Sequence, residues 1–141
     1  MSSRAEQLEP AVEQARQRSE DALAQLATQQ QALARAEHQL GELQRYRLEY
    51  AAAADGAQSV TALLNRQQFV ERIDQAIVQQ QAELARQHRQ LAQLREHWRR
   101  AHARESALGS VVAQHREEDR RAADRHEQAE LDERMQYRRL R

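Results

Sequence analysis

Apolar side chains recur along this chain at alternating steps of four and three. From Leu8 the series runs Val12, Ala15, Ser19, Ala22, Leu26, Gln29, Leu33, Ala36, Leu40, Leu43, Arg47, Tyr50 and Ala54, and eleven of these 14 positions are apolar. The positions between them are mostly Gln, Glu, Arg and small residues. A stripe this narrow, held over six heptads, predicts a coiled-coil seam rather than the wider buried face of a globular helix. The same grammar restarts at Val70 and continues through Ile73, Ile77, Gln80, Leu84, Gln87, Leu91, Leu94, Trp98, Ala101, Glu105, Leu108 and Val112. Ten of these 13 positions are apolar. Between the two seams stands Asp55-Gly56-Ala57-Gln58-Ser59. Gly56 there suits a left-handed helix end, and Ser59 or Thr61 suits the next N-cap.

So short a connection makes the two helices antiparallel neighbours. The predicted fold is all-α: a long antiparallel two-helix coiled coil, or αα-hairpin, with a C-terminal helical overhang. Residues 1–141 form a single coiled-coil domain, with helix 1 at about 3–54, the turn at 55–59 and helix 2 at about 60–125. Pro10 places the helix start near Glu9 or a slight bend there. Helix 1 spans about 75 Å at 1.5 Å per residue. A turn centred near Ala57 puts residue i opposite roughly 114 − i, which brings Leu40 beside Ile73 or Ile77. Helix 1 then runs out opposite about Val112, and residues 113–141 overhang as a charged tail, frayed or disordered until a partner orders it. His115 to Arg141 holds eight acids and eight arginines, and the last eight residues hold four arginines and no acid.

Composition agrees. Aromatics are 4% of the 141 residues, charged residues 31%, with three glycines and one proline, the profile of long helices rather than of a globular core or a sheet. Twenty-two arginines balance 22 acids, and there is no lysine. No net field therefore draws nucleic acid or an anionic membrane. Without cysteine there is no disulfide, thiolate nucleophile or Cys-bound metal. No leader-like segment and no membrane-length apolar run is evident, so the expected location is cytoplasmic.

Candidate chemistry is sparse. The six histidines, at 38, 88, 97, 102, 115 and 126, include no i, i+4 pair, no His-Glu-x-x-His and no Glu-x-x-His, so no metal site is expected. The glycines are too scattered for a phosphate loop, and Glu117-Glu118-Asp119 reads as a solvated charge run. A two-helix rod offers no cavity for desolvating a substrate. No enzyme activity and no cofactor are expected.

The aromatic residues do stand out. Tyr46 and Tyr50 share a face at the end of helix 1, and Phe69 lies near the start of helix 2, so the fold-back gathers all three at the loop end beside Leu43, Ile73, Ala76 and Gln80. Tyr46 and Phe69 sit one step off the seam, half-exposed. They either seal the end of the seam or form a contact patch, exposed aromatics being favoured anchors. Trp98, in the seam, reads as packing.

These residues resemble the FliJ family of flagellar type III export proteins. Tyr46-Arg47-Leu48-Glu49-Tyr50 is similar to its paired-tyrosine motif, and Gln67-Gln68-Phe69 followed by Ala76-Ile77 matches as well. Trp98 stands where that family has a helix-2 tryptophan, and Leu131-Asp132-Glu133 resembles its C-terminal Leu-Asp-Glu element. The turn is short, and the part played by Gln80 is open. The resemblance implies a protein peripheral to the membrane that binds the hexameric flagellar export ATPase like a central stalk and promotes its activity. It implies further contacts with the cytoplasmic domain of the membrane export gate and with export chaperones. Carried over, the gate-binding residues are Gln39, Leu43, Tyr46, Tyr50, Phe69, Ile73, Ala76 and Gln80. Those toward the ATPase are Trp98, Arg120, Arg121, Leu131, Asp132 and Glu133. The alternatives are a stalk protein of a virulence-type III secretion system and a purely structural homo-oligomeric coiled coil.

Overall fold

The computed structural model describes residues 3–52 and 59–140. Two long helices pack against each other: α1 covers Arg4–Ala52 and α2 covers Val60–Arg139. Among the described residues there is no strand. The predicted turn residues Asp55, Gly56, Ala57 and Gln58 lie outside the described residues.

Both helices open on a serine cap. Ser3 Oγ accepts from the Glu6 amide at 3.2 Å, and Ser59 Oγ accepts from the Ala62 amide at 3.2 Å. Each cap satisfies a backbone donor that the first turn leaves without an intrahelical acceptor. Of the two candidate caps for α2, Ser59 is thus the one used. α1 runs through Pro10 rather than starting at it.

By packing, the chain divides into two units, residues 22–98 and residues 1–21 with 99–141. In the first, Leu26, Leu33 and Leu91 form the core, with Leu84 and Leu94 against them. Ala22, Ala36 and Ile73 are also buried. In the second, the buried residues are Ala5, Ala15, Ser19 and Val112, all but one of them small. All 26 described seam positions from Leu8 to Val112 are buried or half-buried, so the heptad pattern selected the packed stripe on both helices. Burial of those apolar side chains is what makes helices of this length persist.

The register departs from expectation. Pairing i with 114 − i sets Ala36 opposite Val78, yet Gln80 Nε2 donates to the Ala36 carbonyl at 3.0 Å, and Val78 is 64% exposed. Likewise Gln29 Nε2 donates to the Gln87 carbonyl at 3.3 Å, not to a residue near 85. Side chains that meet across the helices, Gln39 with Gln80, Arg47 with Asp74 and Tyr50 with Phe69, lie five to seven positions further along α2 than that pairing gives, so of the two expected neighbours of Leu40, Ile77 is the nearer.

The helical overhang is present, and α2 continues past its expected end near 125. α2 remains helical to Arg139, although every residue from 118 to 140 is exposed. Local pairs support it. Arg120 holds Glu117 at 2.7 Å and Asp124 at 2.8 Å, Arg121 holds Glu117 at 3.2 Å, and Gln128 donates to Asp132 at 3.4 Å. Such i, i+3 and i, i+4 pairs each add a few tenths of a kcal/mol to an isolated helix in general, and Arg138 and Arg139 in the last turn suit the helix dipole.

Candidate functional site

The helix end nearest the turn collects the aromatics. On α1, Tyr46 and Tyr50 are one turn apart, with ring centroids 5.8 Å from each other. Phe69, from α2, stacks on Tyr50 at 4.5 Å and meets Tyr46 edge-on at 6.1 Å. The Arg66 guanidinium lies 5.6 Å over the Tyr50 ring. Attraction between the ring quadrupoles and the cation orders the three rings.

The three side chains do not have equal access to solvent. Tyr50, a seam residue, and Phe69 are half-buried, whereas Tyr46 is 46% exposed. Tyr50 with Phe69 closes the end of the seam; Tyr46 presents its ring outward.

Beside Tyr46 runs an open groove lined by Gln39, Leu43 and Gln80, with the carboxylates of Glu42 and Glu49 and the guanidinium of Arg45 along its sides. Gln80 forms part of its floor: one carboxamide nitrogen spans to the Ala36 carbonyl and to Gln39 Oε1 at 3.2 Å. Of the eight residues in the expected gate-binding set, Gln39, Leu43, Tyr46 and Gln80 share this groove, while Tyr50 and Phe69 back it. Ala76 is half-buried, and Ile73, only 5% exposed, supports the patch from the core.

Pattern reading passed over a crossed ion pair. Arg47 Nε and Nη2 both donate to the Asp74 carboxylate on the facing helix, and that hydrogen bond together with the Asp74 charge holds the Arg47 pKa above its ordinary value. The signal was available, because an arginine inside an apolar seam asks for an acid across from it. Leu48, 67% exposed, and the Val60, Leu63 and Leu64 group at the start of α2 likewise leave large apolar surface uncovered near this end.

The residues expected to face the ATPase fall along α2. Trp98 is half-buried at its seam position. Arg120 and Arg121 are engaged by Glu117, whose carboxyl is held below its usual range first by the Arg120 hydrogen bond. Leu131 is 54% exposed, Asp132 accepts from Gln128, and Glu133 is exposed. Glu133 also lines a shallow depression with Glu130, Arg134, Tyr137 and Arg138. Among the described residues no group of three His, Cys, Asp or Glu could hold a metal ion, and no helix is long and apolar enough to cross a membrane.

A family model described as Flagellar FliJ protein matches residues 4–141. No match was found among curated proteins, nor among solved structures.

Proposed function

This chain belongs to the flagellar FliJ protein family, tied to flagellar protein export, and from that premise we propose that it works as a non-enzymatic stalk of the export apparatus. In this role it binds the hexameric export ATPase, promotes its activity, and links it to the cytoplasmic domain of the membrane export gate and to export chaperones. The observation that carries the proposal is the Tyr46–Tyr50–Phe69 cluster at the turn end, beside an open groove lined by Leu43, Gln39, Gln80 and charged side chains. An outward tyrosine on a rigid two-helix support is the kind of anchor that protein interfaces favour. Gate binding is assigned to Gln39, Leu43, Tyr46 and their neighbours. ATPase binding is assigned to α2 beyond Val112, with Arg120, Arg121, Leu131, Asp132 and Glu133, where an exposed helix offers charged and apolar groups together.

Hydrolysis by the cognate export ATPase, measured with and without stoichiometric amounts of this protein, tests the stalk role. Stimulation that disappears when the chain is cut after Val112 supports it. No stimulation and no co-migration with the ATPase would remove the mechanism and leave a structural coiled coil.

A further inference from the structure

Charge is sorted along the overhang. Residues 117–133 hold eight acids and three arginines, a net of −5, whereas residues 134–141 hold four arginines and no acid, a net of +4. The two blocks also differ in how their charges are partnered. Within the first, Glu117 is held by Arg120 and Arg121, Asp124 by Arg120, and Glu130 faces His126 at 3.2 Å. Among the described residues no ion pair within the chain engages Arg134, Arg138 or Arg139. Every residue from 118 to 140 is exposed, and among them Leu131, Met135, Tyr137 and Leu140 leave large apolar side chains uncovered.

Steps of four and three place Asp124, Gln128, Leu131, Met135 and Arg138 on one stripe of this helix, with Glu127 and Arg134 along its edge. Acids thus lie to one side of an apolar centre and arginines to the other. A stripe of this kind is complementary to its own reverse. Turning a second copy end for end about Leu131 sets Leu131 on Leu131, Asp124 beside Arg138, and Glu127 beside Arg134, each contact occurring twice about a two-fold axis. Pairing in the same direction sets acid on acid and arginine on arginine, so the order of charges selects the antiparallel form.

We propose that two copies of this chain pair through their overhangs, antiparallel, with the basic tip of each on the acidic block of the other. Residues 117–139 then overlap over about 35 Å. Two single helices meeting over that length bury less than a standard interface, so the dimer is weak, concentration-dependent and sensitive to salt. Pairing also covers Leu131 and closes it to the ATPase, and this consequence alone rests on the proposed ATPase contact. Self-association is tested without any other partner.

Sedimentation equilibrium of the full chain at low salt should show the mass climbing with concentration from 16.4 kDa toward twice that, and falling back as salt is raised. Arg134→Glu with Arg138→Glu and Arg139→Glu makes the tip acidic; Asp124→Arg with Glu127→Arg and Glu130→Arg makes the block basic. Each triple variant alone should stay monomeric, because its own reverse now repels it. The two mixed in equal amounts should dimerise again, since each meets its complement. The chain has no cysteine, so a single Leu131→Cys should give a disulfide-linked dimer under mild oxidation, while Leu48→Cys, exposed near the turn, should not. A wild-type chain that is monomeric at every concentration overturns the proposal and leaves the sorted charges to a different partner. So does a dimer that survives either triple variant, or a mixture that stays monomeric. Cross-linking of Leu48→Cys as readily as Leu131→Cys overturns it as well.

Discussion

Tyr46→Ala and Tyr50→Ala should part stability from binding. Tyr50 is half-buried, stacks on Phe69 at 4.5 Å and lies under Arg66. Truncating a fully buried large aromatic costs about 3–5 kcal/mol; half that burial, with the stack and cation contact included, leaves about 2–3 kcal/mol. Tyr46 is 46% exposed and touches Phe69 only edge-on at 6.1 Å, so its loss should cost about 0.5–1 kcal/mol. Urea unfolding of both variants followed by circular dichroism gives the two values. Binding to the isolated cytoplasmic domain of the export gate, by calorimetry, gives the other axis. Tyr46→Ala should weaken binding by more than its stability loss accounts for, and Tyr50→Ala should do so only through the disordered patch. Equal destabilisation by both variants would refute the division of roles. Unchanged gate affinity in Tyr46→Ala would refute the assignment of the outward ring as the anchor.

Leu33→Ala, at 8% exposure between Leu26 and Leu91, should lower unfolding stability by about 2–4 kcal/mol and leave helicity in native buffer unchanged. Arg47→Ala and Asp74→Ala should each destabilise the turn end, and a double-mutant cycle should show a coupling that shrinks as salt is raised. Hydrogen bonds from Arg86 and then Gln87 lower the Glu83 pKa from 4.5 to about 2; Glu13 is lowered first by the hydrogen bond from Arg16. A depressed carboxyl stabilises the fold above its unfolded pKa, so that support is complete above about pH 5 and is lost as the pH falls toward 2. Thermal melts across that range should therefore fall in acid, and Glu83→Gln should flatten the dependence.

The seam was legible from sequence because it needs only a period. Every residue at a step of four or three meets the facing helix, whatever the partner residue is, and hence even Ser19, Gln29 and Glu105 were placed correctly by position alone. Tyr46, Tyr50 and Phe69 were legible as a cluster for the same reason, given a fold-back. Register was not, since a seven-residue repeat looks alike after every heptad and only particular cross-helix contacts, such as Arg47 with Asp74 and Tyr50 with Phe69, break the tie. Nor was the full length of α2, which continues past 125 to Arg139. Apolar periodicity fades after Val112, whereas the Arg120 and Arg121 pairs with Glu117 and Asp124 depend on side-chain geometry that a pattern count does not weigh. Ile73 was legible too: its place in the seam foretold its burial.

Residues 118–139 form a helix exposed along its whole length, stitched by bonds between neighbouring turns. Such a segment has almost no apolar surface to release on melting, so its unfolding carries little heat-capacity change and spreads over a wide temperature range. Amide exchange there should be fast and graded from the free end inward, with slow exchange confined to the seam. For the ATPase contact proposed there, a helix already formed before binding leaves little ordering entropy to be lost on capture.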